Sequence, residues 1–245
     1  MNKKMTATLI ALTGILSALQ ADLVVTATSI TDDFERTAAA SADGTLGTTG
    51  AWTNEFADST WGTTSGVVIG NLAANHRALV NKALQIGTGF TLKADVQVNY
   101  VNGWAGISFN YQDSNNYYAF RFKSNTGLYT VSKIVNGAAP INIESETNVG
   151  TFSSSSAYTL TVTTENGIDY TFDILDSTTQ TSVLASTLTM SDTTFSGGYA
   201  GLFQTTSGPS RAKFDNFSLV IPEPASLSLM VIGSVLAFSA RGVVD

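Results

Sequence analysis

The chain contains no cysteine and a single histidine, His76. The first absence excludes thiol nucleophiles, disulfide frameworks and cysteine-ligated metal centres. The second leaves any Ser-His-Asp arrangement dependent on one residue, and no Gly-x-Ser-x-Gly turn accompanies it. One histidine without cysteine is also a poor basis for zinc. Charge is scarce: charged residues make up 13 % of the 245, against roughly 25 % in ordinary soluble domains. Serine, threonine, asparagine and glycine take their place. The balance is acidic, with 12 basic residues, 19 acidic residues and a net charge of −7. No clustered Lys/Arg patch offsets it, so nucleic acid is excluded as a partner for want of a basic footprint. A chain without disulfides must hold together by packing, and 43 % hydrophobic residues over this length suffice for a core.

Between Asp22 and Val220 there is no strong helical period and no proline- or charge-rich linker, which predicts one domain. Short runs of alternating polarity recur between Gly, Asn, Asp and Ser. The clearest is FTLKADVQVNYV. Phe90, Leu92, Ala94, Val96, Val98 and Tyr100 alternate with polar residues, the signature of a strand with one wet face. Asn102-Gly103 then predicts a tight hairpin into WAGISFNYQ, with Ala105, Ile107, Phe109 and Tyr111 expected on one side. Turns at Asp113–Asn116, Asn125–Gly127 and Asn136-Gly137 bound NYYAFRFKS and LYTVSKIV, completing an expected four-strand meander. Further strands are expected at AYTLTVTTE, IDYTFDILD, a stretch within Thr181–Met190, GGYAGLFQ and SRAKFDNFSLV. Strands at this spacing predict an all-β sandwich. Thr37–Thr64 is less regular, and Trp52 and Trp61 are expected to anchor it to the core.

The two ends have a different character. MNKKMTATLIALTGILSALQA carries Lys3 and Lys4, an apolar run and small residues, the three-part pattern of a secretory leader cut by signal peptidase after Ala21. Its removal leaves 10 basic residues and a net charge of −9. At the other end, Pro222 and Pro224 stop any strand. Ala225–Ala240 then carries no charge, enough for roughly 24 Å of helix, and Arg241 closes the run. Pro222-Glu223-Pro224, the apolar run and Arg241 resemble the PEP-CTERM sorting signal of bacterial envelope proteins. The family's basic cluster is reduced here to Arg241, followed by Gly242-Val243-Val244-Asp245. The resemblance implies processing by an exosortase-type membrane protease, a short membrane-spanning tail helix over 221–245, and delivery to the envelope, cell surface or extracellular matrix.

A second resemblance runs through the middle. Asp32-Asp33-Phe34, then WAGISFNYQDSNNYYAFRF, then GYAGLFQTTSGPSRAKFDNFSL are similar to the concanavalin A-like, laminin-G-type sandwiches of bacterial surface proteins. It implies a jelly-roll over 22–220, flanked by the leader and tail helices, in which the early Asp-Phe segment pairs with the closing Phe-Asp-Asn-Phe strand. It also implies contact with glycan or matrix, including extracellular polysaccharide. On such a fold, glycan is expected to meet polar and aromatic side chains of the central strands, here Trp104, Asn110, Tyr117 and Arg121. Oxygen-rich turns offer the ligand types of calcium. The candidates are Asp113 and, where the first and last strands lie side by side, Asp32, Asp33 and Asp215. No other cofactor is implied. The Glu-x-Asp-x-x-Glu signature of glycosidases on this fold is absent. Asp169 with Asp173, and Glu144 with Glu146, are the spaced acid pairs, and all four are read as solvated. The expectation is a non-catalytic carbohydrate-binding or adhesive protein. The alternatives are a polysaccharide-active enzyme, an accessory module of a glycan-degrading system, and a structural surface-layer component.

Overall fold

The structure is a computed structural model. It describes residues 28–34, 52–54, 59–64, 67–72, 77–99, 103–124, 126–144, 147–148, 150, 152–205 and 212–222. The expected leader with Ala21, His76, Glu146 and the expected sorting tail from Glu223, with Pro224 and Arg241, lie outside the described residues. Among the described residues no helix is long and apolar enough to cross a membrane.

Among the described residues two eight-stranded sheets form. The first runs in the order β14 (Leu188–Ser191), β13 (Asp169–Asp176), β12 (Tyr158–Thr164), β6 (Phe90–Val98), β16 (Ala212–Ile221), β4 (Val67–Leu72) and β3 (Ser59–Thr64). β1 (Thr28–Asp32) pairs separately with β16. The second runs β10 (Ile141–Asn142), β9 (Leu128–Ile134), β8 (Asn116–Lys123), β7 (Trp104–Asp113), β15 (Tyr199–Thr205), β5 (Arg77–Asn81) and β2 (Trp52–Asn54). β11 (Thr147–Asn148) also pairs with β9. Every ladder given a register among the described residues is antiparallel, and neighbours distant in sequence alternate with hairpins, so the domain is an all-β sandwich with jelly-roll-like topology.

The core lies between the sheets, and alternation puts it there. Phe90, Leu92, Ala94, Val96 and Val98 of β6 are buried, while Lys93 is exposed. Leu160 and Val162 of β12 join them, with Phe172 and Ile174 of β13. From the other sheet come Ile107, Phe109, Phe120, Phe122, Val131 and Leu202. Aromatic rings fill the centre. Phe109 lies 5.2 Å from Tyr118, 5.4 Å from Tyr170 and 5.9 Å from Phe172 between centroids. Trp52 packs edge-on to Phe217 at 4.8 Å and Trp61 lies 5.8 Å from Phe214, so both tryptophans anchor their strands to the core.

The β1–β16 pairing brings the first and last strands together as expected, and a bulge explains the closing Phe-Asp-Asn-Phe. Asn216 has φ of 48°, and the register of β16 against β6 shifts between Asp215 and Ser218. The extra residue turns both Phe214 and Phe217 to the core although they are three apart.

Two expectations are corrected. β6 and β7 lie in different sheets, so the connection through Gly103 crosses the sandwich and is not a hairpin. The meander is β7-β8-β9 alone. Tyr111 does not share a face with Phe109. Asn110 takes φ of 46° and the β7–β8 register shifts between Phe109 and Asp113, which turns Tyr111 to the other side. Asparagine tolerates this left-handed backbone better than most residues. Replacing Asn110 by alanine is therefore expected to cost about 2–3 kcal/mol, since it also deletes two buried hydrogen bonds. Denaturant unfolding measures this.

Candidate functional site

The second sheet is buried on both sides. Tyr117–Phe122 of β8 and Ala105–Tyr111 of β7 are buried at every position. Facing away from the core, Ala78, Val80, Tyr111, Tyr117, Ala119, Ile134 and Phe203 make a second apolar cluster. Tyr117 stands 5.1 Å from Tyr111 and 6.2 Å from Phe203 between ring centroids.

Farther along the same face the character changes. Cross-strand register sets Trp104 of β7 opposite Lys123 of β8, and Arg121 of β8 opposite Thr130 of β9. It sets Ser132 of β9 opposite Asn142 of β10. The Arg121 guanidinium lies over the Trp104 ring at 4.5 Å, and the Lys123 ammonium is 5.8 Å from the same centroid, a stacked cation–π arrangement. Arg121 Nε donates to Ser132 Oγ at 3.2 Å, and its Nη2 donates to Asn142 Oδ1 at 3.2 Å. Ser132 Oγ donates to Asn142 Oδ1 at 2.9 Å, and Thr130 Oγ1 to the Glu144 carbonyl at 2.8 Å. Arg121 is 5 % exposed, so the network holds it rigidly. Asn142 is exposed, and Trp104 and Lys123 are half-buried, so this end of the face meets solvent. An indole held in place beside fixed hydrogen-bonding groups offers a sugar ring an apolar platform and directional partners.

Of the four expected ligand contacts, Trp104 and Arg121 thus touch. Tyr117 shares their face but lies in the closed apolar half. Asn110 belongs elsewhere. Its Nδ2 donates to Tyr170 Oη and to the Phe195 carbonyl, both at 3.0 Å, because the bulge directs it to the core side. Sequence reasoning missed Lys123, Thr130, Ser132 and Asn142. Lys123 follows Arg121 at i+2, and the hairpin register of β8 and β9 places Thr130 and Ser132, so the signal was present in the pairing.

Three of the four candidate calcium aspartates accept hydrogen bonds from neighbouring groups of the chain. Asp32 accepts from Trp52 Nε1 at 2.8 Å and from the Phe34 amide at 3.0 Å. Asp113 accepts from the Asn115 amide at 2.7 Å and from Asn116 Nδ2 at 3.0 Å, an ordinary aspartate turn. Asp215 accepts from the Asn216 amide at 2.7 Å, and Asp33 is exposed. Asp113 sits at the β7–β8 turn of the second sheet and Asp215 in the first. Among the described residues no three carboxylate or histidine side chains group as a metal site.

Asp169 and Asp173 are spread out along β13. Asp169 accepts from Ser191 Oγ and from Asn166 Nδ2, donors that hold its carboxyl below the usual range. Asp173 accepts from Ser182 Oγ at 2.5 Å. Four residues along a strand is about 13 Å, whereas a retaining glycosidase needs carboxylates roughly 5 Å apart. Asp173 and Ser182 edge a depression of about 380 Å³ on the outer face of the first sheet, whose lining includes Thr161, Thr163, Thr171, Thr187 and Leu184. Glu144 is half-buried.

One further network locks the β14–β15 connection. Lys133 Nζ meets Asp192 Oδ2 at 2.8 Å, and Asp192 Oδ1 accepts from Tyr118 Oη at 2.6 Å and the Thr194 amide at 2.7 Å. Burial alone would raise the Asp192 carboxyl, but donation by Lys133, Thr194 and Tyr118 outweighs it and holds the group well below the usual range. Burial, and then the bond to Asp192, push the Tyr118 phenol up. Burial likewise raises Tyr170 to about 12. A carboxyl depressed in the folded state stabilises fully above its unfolded value, about 4, and less as pH falls through its folded value. Guanidinium unfolding should therefore show wild type losing more stability between pH 7 and pH 3 than Asp192→Asn does. Equal losses would remove Asp192 from the acid response.

No family model matches the chain, and no curated protein does. Solved structures share its fold. The carbohydrate-binding module CBM66 from Bacillus subtilis superposes with a TM-score of 0.56 and 21 % identity, over 70 % of this chain and 96 % of that one. The β-glucanase of Bacillus licheniformis gives 0.51 and 11 %, over 81 % of this chain and 100 % of that one. The exoplasmic/lumenal domain of VIP36, in a calcium- and mannose-bound form, gives 0.50 and 9 %, over 71 % of this chain and 85 % of that one. These likenesses show a shared fold, the jelly-roll-like β-sandwich, found in a carbohydrate-binding module and in a β-glucanase alike. At such identities it is the fold that is shared.

Proposed function

We propose that the domain binds carbohydrate without cleaving it, through the open end of the outer face of the second sheet. The observation that carries this reading is the Trp104–Arg121 stack, fixed by Ser132 and Asn142 and open to solvent at Trp104, Lys123 and Asn142. The solved carbohydrate-binding module with this fold supports it. The wider reading is an exported protein of the cell envelope, surface or matrix, with a leader over 1–21, the sandwich over 22–220 and a PEP-CTERM-like tail over 221–245. Signal peptidase and an exosortase-type protease are then its processing partners. Calcium enters the same reading through the calcium- and mannose-bound lumenal domain, and glycan binding with and without chelator tests it. A panel of polysaccharides in affinity electrophoresis tests the binding. Retardation by at least one, weakened about tenfold or more by Trp104→Ala, is expected. No retardation by any of them would sink the reading.

One observation favours the enzyme alternative. Asp95 and Asp215 stand directly opposite on β6 and β16, about 5 Å apart at Cα for such a pair. Asp95 is held by Thr159 Oγ1 at 2.5 Å and Asn216 Nδ2 at 2.9 Å. Release of reducing ends from a bound glycan, abolished by Asp95→Asn, would replace the non-catalytic reading with this one.

A further inference from the structure

We propose that the depression on the outer face of the first sheet is a second binding site, for an uncharged sugar residue. It belongs to the other sheet from Trp104, so its location is independent of that site, and only the class of ligand rests on the proposed carbohydrate-binding reading. Its floor is two cross-strand pairs of β12 and β13. Thr163 stands opposite Thr171, and Thr161 opposite Asp173, near enough for one small ligand to touch all four. Alternation turns these four outward, because Val162 and Phe172 between them are buried. The wall is the segment between β13 and β14, from which Ser182, Leu184, Ser186 and Thr187 line the depression. Its volume of about 380 Å³ falls at the small end of ligand sites, which run from roughly 300 to 1,000 Å³.

The wall is pinned to β13. The Asp176 amide donates to the Thr181 carbonyl at 3.0 Å, the Gln180 amide to the Asp176 carbonyl at 2.8 Å and the Val183 amide to the Ile174 carbonyl at 2.9 Å. An isolated antiparallel bridge joins Ser182 to Leu175. A cleft shaped before binding loses less freedom when a ligand enters. Asp173 is oriented by the Ile174 amide at 2.9 Å and the Ser182 hydroxyl at 2.5 Å, both on Oδ1. Among the described residues its Oδ2 takes no hydrogen bond, and the hydroxyls of Thr161, Thr163, Ser186 and Thr187 make none. Each of those hydroxyls both donates and accepts, which matches the hydroxyls of a sugar, and a carboxylate oxygen accepts strongly from such a group. Leu184 adds an apolar surface for the C–H groups of the ring. Among the lining residues Asp173 alone is charged. Lys93, exposed on β6, stands opposite Thr161 on its other side. One charge of each sign thus flanks Thr161, and hydrogen bonding rather than net charge is what the cleft offers.

The test is amide NMR of the isotope-labelled full chain, titrated with uncharged oligosaccharides of glucose, mannose, galactose and xylose. Saturable shifts at residues 161–163, 171–173 and 182–187 are expected with at least one of them, at the same midpoint in Trp104→Ala. The double variant Thr161→Val/Thr163→Val deletes two hydroxyls while keeping side-chain shape and strand preference. Its spectrum should be that of the folded protein, and its midpoint should rise about tenfold, the loss of two hydrogen bonds. A midpoint unchanged in the double variant, or no shift at these residues with any of the sugars, overturns the inference. Shifts confined to the surroundings of Trp104 would do so while leaving the carbohydrate reading in place. No shift anywhere, together with no retardation by any polysaccharide of the electrophoresis panel, overturns both.

Discussion

Gly106→Ala should abolish cooperative folding or lower stability by at least about 3 kcal/mol. Gly106 faces Arg121 across the β7–β8 ladder. A methyl group there would fall 1.9 Å from the Phe120 carbonyl oxygen and 2.7 Å from Arg121 Cα. Both obstacles are backbone of the adjacent central strand, so no side-chain rotation relieves the clash. β7 and β8 would have to separate at the point that sets Trp104 beside Arg121 and Lys123, and stability and site would fail together. The control is Gly87→Ala, where the added methyl meets nothing within 4 Å. Its stability should match or slightly exceed wild type, because alanine narrows the unfolded ensemble. Denaturant midpoints of the three proteins give the comparison. A Gly106→Ala variant within about 0.5 kcal/mol of wild type would mean that the strands are not so closely apposed.

Phe109→Ala should cost about 3–5 kcal/mol, a large share of a typical domain's total. Phe109 is fully buried at the meeting point of the sheets, with Phe90, Tyr118, Tyr170 and Phe172 around it. Truncation leaves a cavity walled by rigid rings on opposite sheets, which cannot collapse without moving whole strands. Phe109→Leu should recover most of the loss. Since Phe109 faces the core and Trp104 the outside, a folded fraction of the alanine variant should keep its glycan affinity. Loss of affinity at full folding would tie the core centre to the site.

The sandwich was legible because its strongest strands are one-sided. In β6 and β12 buried and partly wetted positions alternate without a slip, so period two gives both strand and face. The fold resemblance placed the early segment against the closing strand, and β1 does pair with β16. The second sheet was harder to read. β7 and β8 are buried on both faces, so the residues opposite Phe120 and Phe122 carry little polarity to mark an outside. The bulges at Asn110 and Asn216 each insert one residue, and a sequence written in steps of two gives no sign of the slip. That is why Tyr111 changed faces and Asn110 left the expected ligand group. The Asn102-Gly103 dipeptide has hairpin chemistry, but sheet membership is decided by long-range pairing of β6 with β12 and β16. Trp104 and Arg121 were visible as residue types, and their contact required the β7–β8 register. Ser132 and Asn142 required two further strands.

Tryptophan fluorescence tests the central claim most directly, because the chain has three tryptophans and two are buried out of a ligand's reach. Trp52 and Trp61 are each 1 % exposed within the core, whereas Trp104 is half-buried at the site. Addition of a bound polysaccharide should shift the emission to shorter wavelength and protect it from acrylamide, and Trp104→Phe should remove both effects. Binding that leaves Trp104 emission and quenching unchanged would place the glycan elsewhere and contradict the account.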